Sequence, residues 1–330
     1  MADDFGTLPK GESVKSVKIS AGDLSATFLT YGAILQDLRL RGHPLSLVLG
    51  FDDLAPYLDK ANYFGALVGR CANRIRDGHF LLGGTEFSLD RNENGKHCLH
   101  GGTDGINSMI WRIMNIKENS VVFELTVPDG LMGFPGNLTI TAGFAIKAPG
   151  CLDIQIKAKT DKPTICNIAH HSYFVLDRDP VISNYLLKVD ADHYTPVNEE
   201  KIATGQTEKV AATRMDFTRF QPIQNAFPID HNFCLSSKRT SLRKAAMVKS
   251  PKSGISLDCW TTEPGLQVYD GNHLSGSVAS HNGRQIVPNS GVALEPQIWP
   301  DAIHHPNFPR VTLAPDETYF QHSQFRFSLK

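Results

Sequence analysis

From Leu152 through Ile156 the sequence Cys151-Leu152-Asp153-Ile154-Gln155-Ile156-Lys157 alternates apolar with polar residues, a beat of two that one half-buried β-strand produces and a helix cannot. The same beat returns at 24–30 (LSATFLT), 109–117 (MIWRIMNIK), 121–127 (VVFELTV), 138–146 (LTITAGFAI), 255–260 (ISLDCW) and 319–329 (YFQHSQFRFSL). Turn-forming clusters separate these runs: Gly83-Gly84, the stretch from Asp90 to Gly95, Pro128-Asp129-Gly130, Pro135-Gly136-Asn137 and Pro149-Gly150. Only Asp52 to Leu58 has room for a short helix. Many short strands with turns close between them predict an all-β chain built as a sandwich or barrel. No linker, charge run or shift in composition divides the chain, so residues 1–330 are expected to form a single domain. The polar stretch 219–250, with SSKRTSLRKAA at 236–246, reads as a surface excursion.

Composition narrows the function. Apolar residues make up 41 % of the 330 and charged residues 20 %, a globular balance with a sizeable core. A net charge of −1 offers no electrostatic footprint for nucleic acid or an anionic membrane surface. No apolar run approaches the roughly 18 to 20 residues of a membrane span. The acidic opening MADDFGTLPKGESVK does not read as a secretory signal, so Asn137-Leu138-Thr139 has little weight as a glycosylation acceptor. The six cysteines (71, 98, 151, 166, 234, 259) are scattered with no CxxC pair, which predicts reduced thiols and a cytoplasmic protein. There is no GxxxxGK[ST] loop, no HExxH and no metal-ligand spacing, so neither a metal nor another cofactor is expected.

Against this background a few polar residues stand out in apolar, Gly- and aromatic-rich segments: Asn73 and Arg74 in GRCANRI (69–75), His100 in CLHGG (98–102), His171 in HHSYF (170–174), Asp230 in IDHNF (229–233), and Glu295 with Asp301 in ALEPQIWPDA (293–302). A carboxylate, imidazoles and a guanidinium in such surroundings suit proton transfer on a neutral, hydroxyl-rich ligand. Each also has an ordinary reading. Glu295 could be the exposed face of an alternating strand, Asp230 an Asx-turn after Pro228, and His100 loop chemistry beside Gly101-Gly102. His170 and His171 are adjacent, so on a strand they face opposite ways and at most one serves a given site. Arg70 and Arg74 compete for one role. Asp301 reads as a turn or cap, Trp299 as core packing or a sugar platform, His304-His305 as loop, and His97 has no assignable role.

Taken together and in this order, the segments resemble the galactose mutarotase (aldose 1-epimerase) family across nearly the whole chain. The resemblance implies one large antiparallel β-sandwich, the family's supersandwich, acting on a free monosaccharide with no nucleic-acid or membrane partner. It implies Glu295 as base on the C1 hydroxyl, His171 as acid on the ring oxygen, and His100 as a second active-site histidine near that oxygen. Asn73, Arg74, Asp230 and Gln267 become hydroxyl contacts, and Arg70 a structural ion-pair partner. The family has Asn where this chain has His170. A monomer or weak homodimer is expected. Ring opening would take a proton from O1 and deliver one to the ring oxygen, and closure would run the same pair in reverse. Reference values of about 4.3 for Glu and about 6.5 for His would give kcat/KM an acid limb from the carboxylate and an alkaline limb from the imidazole. A glycoside hydrolase would leave the histidines idle, a phosphosugar epimerase would want a denser cationic cluster, and a silent sugar-binding protein would lack the acid or the base.

Overall fold

The alternating runs become strands, and their burial alternates with them: along Leu138–Lys147 every second side chain is buried. The protein, described here from a computed structural model covering residues 1–58, 63–276 and 278–329, is built on two large sheets. Nine strands form the larger, in the order Arg112–Lys117, Ser120–Val127, Leu138–Lys147, Cys151–Thr160, Tyr319–Leu329, Ile255–Thr261, Arg243–Lys249, Leu186–Val189 and Gln221–Pro222. Six form the other: Tyr173–Phe174, Val292–Gln297, Gly265–Tyr269, Asp230–Cys234, His193–Thr195 and Glu208–Lys209. Pairing within both is antiparallel. A four-stranded N-terminal sheet, Ala2–Thr7 to Leu35–Leu40, packs Val17, Ile19 and Phe28 into the same core. There Phe28 meets Phe144 at 4.4 Å between ring centroids, and Phe174 meets Phe325 at 4.8 Å.

The expected strands form with small differences at their ends. The run 109–117 enters its sheet only at Arg112, because the residues before it pair elsewhere: the Gly32 N–H donates to the Met109 carbonyl and the Trp111 N–H to the Thr30 carbonyl, with Ile110 bridged to Tyr31. The expected helix is a single turn, Ala55–Leu58. The reading of 219–250 as a surface excursion is overturned: Asp230–Cys234 and Arg243–Lys249 are interior strands of the two sheets. The polar residues mislead because they are covered by partners. Lys244 and Lys249 lie over the rings of Trp260 and Phe220, Arg243 donates to the Thr261 and Glu263 carbonyls, and Ala245, Ala246 and Val248 are buried among them.

One strand positions the chemistry. Val292–Gln297 is buried on both faces. Val292 and Leu294 point into the main core, whereas Ala293 packs with Tyr173 in a separate cluster on the other face, which Glu295 shares by alternation. Burying Val292 and Leu294 is worth about 1.5–3 kcal/mol each. That fixes the register, and a one-residue slip would turn the carboxylate into the apolar core.

Candidate active site

Strand register sets the site's width. Glu295 pairs with Gln267 on the next strand, and Gln267 pairs with Asn232 on the one after. Asp230 lies on that same third strand, opposite Tyr269. The Gln267 amide donates to Asp230 Oδ1 at 2.6 Å, tying the two together and leaving Oδ2 to other partners.

His171 arrives from the side. It follows the strand Ala169–His170, and its Nε2 lies 3.6 Å from Glu295 Oε1, with both side chains almost fully buried. The adjacent histidines do part company. His170 sits against Phe144 and Phe325 in the core with Nε2 3.2 Å from the Ser172 hydroxyl, while His171 is ringed by Tyr63, His100 and Tyr173.

His100 is held by a reciprocal backbone clasp. Its N–H donates to the Asn73 carbonyl at 3.0 Å, and the Asn73 N–H donates back to His100 Nδ1 at 3.2 Å. Both residues have left-handed backbones, φ 52° and 60°. Gly101 is required next to them, since a Cβ there would meet the Gly69 carbonyl oxygen at 2.0 Å. Asn73 also accepts the Arg74 N–H on its own side-chain oxygen, so its visible work is holding His100 and Arg74 in place. Arg74 makes a forked bond to Glu93 at 2.7 Å on each arm, and its Nη1 stands 3.7 Å from Asp230 Oδ2.

The expectation for Arg70 fails. Its buried guanidinium donates to the carbonyls of Pro135, Gly136 and Pro128 and to the Thr164 hydroxyl, with no carboxylate in contact among the described residues, so it ties loops together. Asp301 is a cap: it accepts from the Arg76 N–H and from His304 Nδ1, with His305 at 3.3 Å, away from Glu295. Trp299 packs on Phe308 and donates to the Pro264 carbonyl. His97 accepts the Asp77 N–H. Groups not foreseen from sequence are Glu93, which orients Arg74, the rings of Tyr63 and Tyr269, and Lys201, whose Nζ is 3.7 Å from Asp230 Oδ2. Tyr173, inside HHSYF, was the one with a signal.

Burial dominates the electrostatics. It pushes the Glu295 carboxyl well above the usual range, helped by the charge of Asp230 and opposed by Arg74. It pushes His171 down to about 4, against its own backbone carbonyl and Asp230, and His170 to about 3, with His171 adding to the effect. His100 is driven well down by burial, then by His171 and Arg74. These histidines therefore take up protons more readily unfolded, near 6.5, than folded. Their contribution to stability is whole above that value and is lost as pH falls toward the folded values, at up to about 1.4 kcal/mol per pH unit for each group. His170→Asn removes one of them. Its urea midpoint is expected to drop less between pH 7 and pH 5 than that of the wild type, and equal drops would contradict the neutral, buried state of His170.

His100, His171 and Glu295 each bring a ligand atom within 4.8 Å of the others, a cluster invisible in the spacing of the sequence. The donor set does not suit a cation as it stands. The Nδ1 lone pair of His100 is taken by the Asn73 N–H, which leaves the proton on Nε2 and makes that nitrogen a hydrogen-bond donor into the site.

A buried carboxyl, two buried imidazoles and the Gln267–Asp230 pair of the neighbouring strands thus meet in one place. The chain matches the aldose 1-epimerase family model over residues 15–326. It belongs to the aldose 1-epimerase family. It is 36 % identical to galactose mutarotase from Bos taurus, over 98 % of this chain and 97 % of that protein, and 32 % identical to aldose 1-epimerase from Escherichia coli, over 97 % and 96 %. Among solved structures, a GalM/aldose epimerase homologue from C. elegans superposes with a TM-score of 0.89 at 27 % identity, over 95 % of this chain and 98 % of that one. Galactose 1-epimerase from Lactobacillus acidophilus gives 0.85 at 25 % identity, over 99 % and 98 %. This aldose 1-epimerase is accordingly an isomerase on the mutarotase fold, with large antiparallel sheets.

Proposed function

We propose that the enzyme interconverts the α and β anomers of free hexoses of the galactose and glucose type, with Glu295 and His171 exchanging protons with O1 and the ring oxygen. The observation that carries this is the 3.6 Å contact between a buried carboxyl and a buried imidazole, with a hydroxyl-binding row beside them. Without sugar, burial favours the pair with the proton on Glu295 and none on His171. That is the state ring closure needs: His171 accepts from the C5 hydroxyl while Glu295 returns a proton to O1. Opening needs the same single proton on His171. Hydroxyls that donate to Glu295 and accept from His171 favour that arrangement by replacing the hydration both groups lost. His100, a fixed Nε2 donor, steadies the ring oxygen, and Asn73, Arg74, Asp230 and Gln267 hold the remaining hydroxyls while C1 turns.

A neutral sugar fits better than a phosphosugar, because Arg74 and Lys201 face Glu93 and Asp230, so that among the described residues these two positive charges are matched by two negative ones. Free thiols at all six cysteines support a cytoplasmic setting, and among the described residues no helix is long and apolar enough to cross a membrane. The exposed large apolar side chains are scattered, Leu81 and Met114 on different strands and Phe320 and Leu329 at opposite ends of a third, which supports a monomer or weak homodimer. The test is proton NMR of freshly dissolved α-galactose and α-glucose. The protein should speed the approach to equilibrium without altering the final ratio, and dialysis against a chelator should leave that rate unchanged. No acceleration for any aldose overturns the reading, and a chelator loss restored by zinc overturns its metal-free chemistry.

A further inference from the structure

Lys201 lies at the tip of a tight turn that the chain takes trouble to hold. Its N–H donates to the Asn198 carbonyl, Asn198 N–H donates to Ile202, and the Asn198 side-chain oxygen accepts from both Glu200 and Ile202 at 3.0 Å. Lys201 itself has φ 60°, a left-handed conformation that costs a long side chain on the order of 1 kcal/mol and that Gly or Asn would adopt more readily. The conformation turns the ammonium toward the sugar-binding row instead of the solvent, with the side chain about one-third exposed.

Its neighbours leave that ammonium available. Glu200, one residue before, is already bound to Lys96. His273 Nε2 lies 2.8 Å from Lys201 Nζ, and since a lysine only donates, the imidazole is the acceptor and uses one of three donors. Asp230 Oδ2 is 3.7 Å from Lys201 Nζ and also 3.7 Å from Arg74 Nη1, too far for a direct hydrogen bond to either. Asp230 Oδ1 is spent on Gln267. Among the described residues, two cationic donors and one carboxylate oxygen without a direct hydrogen bond therefore enclose a gap. A hydroxyl group fills such a gap with all its capacity used, accepting from Lys201 and Arg74 and donating to Asp230.

The position says which hydroxyl. Asp230 is two strands away from Glu295, roughly 10 Å of backbone at the usual strand spacing, and the two side chains reach toward the ligand between them. With O1 at Glu295, the groups that reach Asp230 are those across the ring from C1. Resting on the functional reading above, we propose that Lys201 is a specificity-determining residue, forming with Arg74 and Asp230 a cradle for the C3 or C4 hydroxyl of the aldose.

Anomerisation of glucose, galactose, 3-deoxyglucose and 4-deoxyglucose by the wild type and by Lys201→Met tests this. KM for glucose is expected to rise about tenfold or more, as for loss of a charged hydrogen bond. For one of the two deoxy sugars, the one lacking the cradled hydroxyl, wild type and variant should agree within about twofold. An equal rise for all four sugars would make Lys201 a holder of the turn and overturn the proposal, as would no rise for any. A Met variant that does not fold is replaced by Lys201→Gln, read the same way. A wild type inactive on every aldose overturns the functional reading itself, whereas an active wild type with an indifferent variant overturns this proposal alone.

Discussion

Glu295→Gln is expected to keep sugar binding and to lose turnover by about 10²- to 10⁴-fold, the range for removing a positioned acid or base. The amide matches the carboxyl in shape and still hydrogen-bonds, but it has no proton to exchange with O1. The pH dependence identifies the group further. Because burial raises Glu295 and lowers His171 to about 4, the pair holds one proton over a wide span of pH, whichever member carries it. The wild-type kcat/KM should therefore be level through neutrality. It should fall toward pH 4 as the imidazole takes a second proton, and fall on the alkaline side only when the raised carboxyl loses the last one. This reverses the assignment drawn from reference values, in which the carboxylate made the acid limb and the imidazole an alkaline limb near 6.5. A wild-type rate already halved at about pH 6.5 on the alkaline side would restore the older assignment. A Gln variant that retains most of its turnover would move the base elsewhere. Asp230 would be next to test, because Asp301 is engaged by Arg76 and His304.

His171→Asn should lower kcat by about 10²-fold or more, while His170→Asn should change it little. The two residues are neighbours in sequence and strangers in space: one touches Glu295, the other packs on Phe144 and Phe325. Measuring kcat for both variants beside their urea midpoints separates chemistry from folding. Equal losses in kcat with unchanged midpoints would show that His170 shares the proton work, and the assignment to His171 alone would fall.

Much of the fold was legible because strand alternation is a local signal. The runs at 138–146, 151–157 and 319–329 needed no knowledge of their partners to be read as strands. Arg243–Lys249 was misread for the complementary reason: its charges are covered by Trp260, Phe220 and carbonyls that lie elsewhere in the chain. Glu295, His171 and His100 stood out in short unusual segments, but it was the resemblance of those segments to the family's motifs that selected them over their ordinary readings. Nothing local marked Glu93, whose value comes from a forked bond to a residue 19 positions earlier, or Lys201, which acts from another turn. Arg70 was misjudged because a guanidinium satisfied by carbonyls looks, in sequence, like any other buried arginine. The inverted proton affinities of Glu295 and His171 come from three-dimensional burial, which no spacing reports.

The strand Val292–Gln297 has no wet side, and that shapes how such an enzyme can be altered. Each of its residues answers either to the interior or to the ligand, so exchanging Leu294 for a larger or smaller side chain would shift its neighbour's carboxyl along with the packing. Attempts to retune sugar preference by working along this strand would meet losses of fold and of rate together. The turn at 198–202 is free of that double duty, since its tip borders the ligand while its back faces water. Selection for new substrates, in nature or in the laboratory, should therefore accumulate changes in that turn and leave the strand untouched.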